Sequence, residues 1–288
     1  MYATKPILAL DIGNTHSTLA AIGKRKILWT TTLQTASLTE ERKAKQLAKQ
    51  ISQAIALRFE RVECIGVASV VPQAYQAFVP MLEKNLHAKL LTISASVNLP
   101  FKMGYKTPQT LGADRIAAVA FAAERFPNQA TIIIDFGTAI TYDLLSSNAK
   151  YLGGLILASP HIVAKSLWQH TAQLPKFQWR KTSALIGRTT LECLEAGLFW
   201  SKVAETEGLI AKLKDELKKK YHETNVIVVA TGGDAEQFAR TIPAIDFIEK
   251  HAVLCGIRII VEKNLSSPAC RAAHRRTSDK STHHPIKG

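Results

Sequence analysis

The chain has 288 residues, 47% of them hydrophobic, and a formal net charge of +14. That length allows two medium domains with a substantial core, while no apolar run is long enough to cross a bilayer and the opening residues lack a signal-peptide pattern, so a cytoplasmic protein without a membrane partner is expected. The four cysteines, Cys64, Cys193, Cys255 and Cys270, form no Cys-x-x-Cys pair; neither a zinc site nor a disulfide framework is indicated, and the first three, in apolar segments, are expected to be buried thiols.

The first element is Pro6-Ile-Leu-Ala-Leu-Asp-Ile-Gly-Asn-Thr15, an apolar run that drives into an acid, then glycine and polar residues. A returning strand follows over residues 17–22, so the segment reads as a buried hairpin with Asp11, Gly13 and Asn14 at its turn. Ser37-Leu-Thr-Glu40 has the spacing of a capping box, predicting a helix to about residue 57 with Leu47, Ile51 and Ile55 on one face. Residues 62–71 read as a buried strand ended by Pro72, residues 73–86 as a helix and 89–93 as a strand. This alternation argues for α/β layers. Residues 98–109 form a loop with two prolines and a glycine between two halves, where a ligand contact is expected. Tyr105 in that loop, taken alone, is an ordinary packing residue.

Gly112-Ala-Asp-Arg115 precedes a strongly helical run. On its own Asp114 reads as a helix-capping aspartate, and Arg115 either as a surface ion pair or as a hold on an anionic or polar part of a substrate. Residues 131–143 then repeat the first hairpin. Asp135, Gly137 and Thr138 match Asp11, Gly13 and Asn14. Gly137 admits close approach of backbone amides to a ligand, Thr138 offers a hydroxyl, and Asp135 a carboxylate suited to a cation. Two copies of one turn predict two like-folded halves facing a shared cleft. Residues 151–157 form a strand with Gly153 and Gly154, followed by a helix containing Trp168, His170 and Leu174. Another helix opens after Gly187, capped by Thr189 or Thr190, and runs with a break at Gly208 to about residue 221. Its lysine-rich run, residues 212–220, reads as a solvated face. Residues 225–234 form a strand ending in Gly232-Gly233 before a helix, and a last helix covers about 252–263. The basic residues 264–288 are expected to be a disordered tail, so nucleic acid is not expected as a partner.

Six motifs keep their order along almost the whole chain: Asp11-Ile-Gly-Asn-Thr15, Ser69-Val-Val-Pro72, Gly112-Ala-Asp-Arg115, Asp135-Phe-Gly-Thr-Ala-Ile-Thr141, Gly153-Gly154 and Thr231-Gly-Gly233. Together they resemble type III pantothenate kinases, within the superfamily of acetate and sugar kinases, heat-shock chaperones and actin. The resemblance implies an α/β fold of two duplicated actin-like (ribonuclease H-like) domains, residues 1–110 and 111–263, facing a nucleotide cleft. It implies ATP and pantothenate as substrates, the first step of coenzyme A biosynthesis as the reaction, and a homodimer. It makes Asp114 the catalytic base and places the acceptor on Tyr105, Gly112, Ala113, Asp114, Arg115 and, across the dimer, Thr190. ATP falls to Asp11, Ile12, Gly13, Asn14, Thr15, His16, Ser17 and Thr18, with Thr138, Gly232 and Gly233. A monovalent cation, potassium or ammonium, falls to Asp135, and a magnesium ion is placed near Asp11. The family continues its glycine pair to a Pro-Gly turn, and this chain has Ala158 and Ser159 there.

No Gly-x-x-x-x-Gly-Lys-[Ser/Thr] loop is present, which argues against a P-loop kinase. Two other readings remain open. One is a non-catalytic transcriptional accessory protein on the same fold, which would have no need of Asp11, Asp114 and Asp135 together. The other is an actin-like phosphohydrolase, which leaves residues 112–115 unexplained.

Overall fold

The computed structural model describes residues 5–266. The first half runs β1 (Ile7–Ile12), β2 (His16–Gly23), β3 (Lys26–Gln34), α1 (Thr35–Thr39), α2 (Glu41–Ala56), β4 (Cys64–Ser69), α3 (Pro72–Leu86) and β5 (Lys89–Thr92). The second runs β6 (Lys102–Met103), α4 (Ala113–Arg125), β7 (Ala130–Phe136), β8 (Ala139–Leu145), β9 (Lys150–Ala158), α5 (Pro160–His170), α6 (Thr190–Tyr221), β10 (Val226–Thr231), α7 (Ala235–Ala239), β11 (Phe247–Ile248) and α8 (Ala252–Leu265).

The strands form two sheets, ordered β3-β2-β1-β4-β5 and β11-β10-β7-β8-β9-β6. Read from β9, the second order becomes β9-β8-β7-β10-β11, a repeat of the first. The directions repeat too. β1 and β7 are each antiparallel to the next strand and parallel to β4 or β10. Strands β1, β4, β7 and β10 are nearly continuous apolar runs because helices cover both faces of each sheet.

Three apolar layers hold the halves together. The outer face of the first sheet packs on α1, α2 and α3 through Leu8, Leu10, Ile51 and Phe78. The outer face of the second packs on α5, α6 and α7 through Ile132, Phe199 and Phe238. Between the sheets lie α4 and α8, and one core cluster joins Ala9 and Ala68 of the first sheet to Ile133 and Tyr151 of the second through Ile116, Ala120 and Ile257. Gly256 of α8 lies so close to the Ala117 carbonyl of α4 that a side chain there would overlap it. Arg258 of α8 reaches Glu124 of α4 at 2.8 Å. The head of α4 therefore sits at the seam between the two halves.

Several local expectations need correction. The helix expected over residues 37–57 is two helices broken at Glu40, whose backbone is extended. Ser37 caps nothing, because the first helix begins earlier, at Thr35, whose hydroxyl holds the Gly13 carbonyl. Strand β3 was not legible, since it buries no residue fully, carries three consecutive threonines, and lysine flanks the turn. Helix α5 ends at His170 and excludes Leu174. Gly208 does not break α6: Val203, Thr206, Ile210 and Leu217 bury one side over 32 residues and offset the cost of one glycine, about 1 kcal/mol. Cys193 is exposed, and Cys255 is only partly buried. The last helix extends through Asn264, which exchanges hydrogen bonds with the Asn98 backbone. The remainder of the expected tail lies outside the described residues, as does Cys270.

Candidate nucleotide and acceptor site

The two repeated turns meet. Thr15 Oγ1 after β1 and Thr138 Oγ1 after β7 lie 3.0 Å apart, although 123 residues separate them. Each turn is braced from behind. Ser17 is fully buried and shares a 2.8 Å bond with the Thr35 hydroxyl, which donates to the Gly13 carbonyl at 2.7 Å. Ser159 donates to the Thr138 carbonyl at 2.6 Å and caps α5 by accepting from the Ile162 amide. Its backbone is extended, with φ −74° and ψ 162°, so this turn needs no glycine.

Behind the turns, a cleft of about 520 Å³ separates the halves. Asp11, His16, Thr18, Thr30 and Thr32 line one side, and Asp135, Thr231, Gly232 and Gly233 the other. Lys250, His251, Val253 and Leu254, at the start of α8, also line it. Gly232 has φ +94°, and a side chain there would come within 2.3 Å of Asp135 Oδ1, so this position demands glycine on both counts. Asp234 follows the turn, its carboxylate 3.0 Å from His161 Nε2, while its amide donates to the Phe136 carbonyl.

Asp11, Asp135 and Asp114 repel one another. Burial raises the Asp11 carboxyl well above its ordinary value, and Asp114 and Asp135 raise it further. Burial pushes Asp135 up to about 7, helped by the charges of Asp114 and Asp143. Among the described residues neither Asp11 nor Asp135 receives a side-chain hydrogen bond or ion pair. Two half-buried, unpartnered carboxylates facing a cleft fit cations, which would relieve the repulsion. Among the described residues no three His, Cys, Asp or Glu side chains are grouped to hold a metal by themselves. A cation here would need water or phosphate oxygens for its remaining ligands.

Asp114 lies in the first turn of α4, whose N-cap is Gly112 and not Asp114. Its Oδ1 accepts from the following amide, of Arg115, at 2.8 Å. Arg115 is buried and pairs with Asp143, a fully buried carboxylate in β8. Burial opposes the guanidinium charge, but Asp143 beside it outweighs this and raises its pKa. Tyr105 stacks on Tyr151 with ring centres 5.8 Å apart, and the Tyr151 hydroxyl donates to Asp143 at 2.7 Å.

The structure thus brings together Asp11, Gly13, Asn14, Thr15, Thr138, Asp135, Gly232, Gly233 and, around Asp114, Gly112, Ala113, Arg115 and Tyr105. His16 and Thr18 point to the cleft, alternating with the inward Ser17. Ile12 is fully buried, so only its backbone is available to a ligand. Thr190 stands apart, exposed at the first turn of α6, with Thr189 as the cap. Several contributors escaped the sequence reading, among them Asp143, Thr30, Thr32 and Lys250. Asp143 had a signal, a lone acid inside an apolar strand. Thr30, Thr32 and Lys250 had none, because only the tertiary fold brings them to the cleft.

Paired hairpins over a cleft, each ending a parallel strand with an acid, define the duplicated actin-like class of phosphate-binding α/β proteins. Solved structures agree on the fold. A putative 2-dehydro-3-deoxygalactonokinase from Sinorhizobium meliloti superposes with a TM-score of 0.56 at 11% identity, covering 91% of this chain and 100% of that one. A putative Baf family transcriptional activator from Campylobacter jejuni gives 0.53 at 21% identity, covering 90% and 100%. The family model of type III pantothenate kinase matches residues 7–212. The type III pantothenate kinase of Chlorobaculum parvum is 35% identical over 89% of this chain and 94% of its own length. That of Bacillus cytotoxicus is 31% identical over 90% and 96%. The chain belongs to the type III pantothenate kinase family.

Proposed function

We propose that this protein transfers the γ-phosphoryl group of ATP to the primary hydroxyl of pantothenate, the first step of coenzyme A biosynthesis. The observation that carries this reading is the convergence of Asp114 with the two hairpin acids at one seam. A phosphate-binding turn from each half and a carboxylate between them are the parts a phosphoryl transfer needs.

The backbone amides after Asp11 and Asp135, with Asn14, Thr15 and Thr138, hold the phosphates, and Gly232 and Gly233 let the nucleotide lie close. Asp114 accepts the acceptor's hydroxyl proton as its oxygen bonds to the γ-phosphorus. The bond from that phosphorus to the β-bridging oxygen breaks, and ADP leaves with the electron pair. A loose transition state asks little of the base, so alignment and charge carry most of the rate. A divalent cation near Asp11 and a monovalent one at Asp135 supply positive charge to the phosphate oxygens when bound. Arg115, Tyr105, Gly112 and Ala113 form the acceptor side.

The second copy in a homodimer would bring Thr190 to the acceptor. Support comes from the large apolar side chains left exposed around α5 and the start of α6, among them Ile156, Ile162, Leu185, Ile186 and Leu191. Light scattering tests this: a monomer at assay concentration removes Thr190 from the site.

A coupled ADP-release assay with and without pantothenate decides the main reading. Release that requires pantothenate supports the kinase. Release without it would indicate a phosphohydrolase. No release under either condition, together with DNA retention at moderate salt, would indicate a regulator.

A further inference from the structure

The buried carboxylate of Asp143 is not explained by phosphate binding. It lies on β8, where Asp135 pairs with Thr141 and Asp143 stands two residues further on. In the first half Asp11 pairs with Thr18, and the equivalent residue two further on is Ala20, fully buried. The same strand in the same fold therefore packs with alanine. An acid here is not a requirement of the architecture, and burying one is costly unless its partners compensate.

Its partners are those of the acceptor side. Arg115 Nε donates to Asp143 Oδ1 at 3.0 Å and Nη2 lies 2.9 Å from the same oxygen. Tyr151 donates to that oxygen as well, at 2.7 Å, and Thr141 approaches Oδ2 at 3.4 Å. Burial and the neighbouring Asp143 charge hold the Tyr151 phenol above its ordinary pKa, so it stays a donor. Tyr151 in turn carries Tyr105 on its ring. A side chain at Gly154 would overlap the Tyr142 carbonyl of the neighbouring strand and would also come within 3.1 Å of Arg115 Nη2, so the close pairing of β8 and β9 demands glycine here first. The Arg115 guanidinium makes no further hydrogen bond or ion pair among the described residues, so its remaining N–H groups are free for a ligand although the side chain is only 8% exposed.

We propose that Asp143 is the positioning residue of the acceptor pocket, orienting Arg115 directly and Tyr105 through Tyr151 for the polar, anionic part of the acceptor. This rests on the kinase reading above. Asp143 touches no substrate and acts through these two side chains. Without its charge Arg115 has no fixed direction in the seam.

The test compares Asp143→Asn and Tyr151→Phe with the wild-type protein, measuring kcat, both KM values and thermal midpoint. Asp143→Asn should raise the KM for pantothenate about tenfold or more while the KM for ATP stays within about twofold. Tyr151→Phe, which keeps the ring under Tyr105, should shift the same constant the same way by about threefold. Equal movement of both KM values, or a lower thermal midpoint with unchanged constants, would overturn the proposal. Should Asp143→Asn fail to fold, the Tyr151→Phe result decides alone. A wild-type protein that shows no pantothenate-dependent turnover refutes the kinase reading and this proposal together, whereas normal wild-type turnover with an unmoved pantothenate KM in both variants refutes only the proposal.

Discussion

The turn after β1 spans three residues, 13–15, and the turn after β7 spans two, 137–138. Behind the first, the bracing hydroxyls come from Ser17 and Thr35, inside the same half. Behind the second, bracing comes from Ser159, which also starts α5. Further along the returning strand the first half has Ala20 and the second Asp143. Both halves thus keep the acid and the phosphate-facing turn, while only the second adds polar residues deeper in its strand. On the proposed reading, the duplicated turns grip the nucleotide from both sides. On the same reading, the asymmetry serves the acceptor side, next to α4, which follows β5 as α8 follows β11.

The most severe test of this division is Asp114→Asn. Asp114 belongs to neither hairpin, and its carboxylate is the proposed proton acceptor. Turnover should fall by about 10²–10⁴, with nucleotide affinity changed little. Asparagine can still accept from the Arg115 amide, so the head of α4 should persist. An equal loss in turnover and nucleotide affinity would make Asp114 structural and leave the seam without a base.

Gly232→Ala probes the second half's own contribution. Left-handed backbone costs a non-glycine residue about 1–2 kcal/mol, and the added methyl would also press on Asp135 and the Phe136 carbonyl. Nucleotide affinity should drop about tenfold or more, with a lower thermal midpoint. Gly233→Ala meets no protein atom within 4 Å, so its thermal midpoint should stay unchanged and nucleotide affinity should fall less than for Gly232→Ala. Equal effects at both positions would mean that the turn is not shaped around Asp135.

How much of this was legible in the sequence follows the same division. The hairpins were readable because apolar runs ending in Asp-x-Gly occur twice, and a repeated local pattern needs no tertiary knowledge. Gly112-Ala-Asp-Arg115 was readable as a helix start, but not the direction of its side chains. Ser159 looked like a defect, and only its bond to the Thr138 carbonyl shows it as a brace. Thr30 and Thr32 reach the cleft because β3 pairs with β2, and Lys250 because α8 crosses back to the first sheet. Neither placement is encoded by local periodicity, so neither could be read from spacing.

The two hairpin acids should also titrate unlike ordinary carboxylates. Asp135 is raised from 3.8 to about 7, chiefly by burial, so between those values the folded protein holds a proton that the unfolded chain has released. Stability from this group is therefore full at low pH and is lost as pH rises through about 7. In protein stripped of cations, the thermal midpoint should decline from about pH 4 to about pH 7 and then level off, and added potassium or magnesium should recover it. Asp135→Asn should flatten the profile and remove the response to the monovalent ion. A profile that stays unchanged in that variant would place the titration at Asp11, whose carboxyl is raised by the same causes, and would reverse the assignment of cations between the hairpins.

Ser159→Ala should have the smallest effect, and it addresses the bracing difference directly. The serine makes two bonds of different kinds: it accepts from the Ile162 amide as a helix cap and donates to the Thr138 carbonyl. Losing a cap costs about 1 kcal/mol, so the thermal midpoint should fall by a few degrees, about 2–4 °C for a protein of this size. Losing the second bond loosens the turn that meets Thr15, so the KM for ATP should rise about two- to fivefold, with the KM for pantothenate unmoved. Ser159→Gly should behave like alanine here, because the backbone at this position is extended and has no use for glycine's extra freedom. If glycine instead restored full nucleotide affinity, the serine hydroxyl would not be the brace, and the second hairpin would be held by its backbone alone.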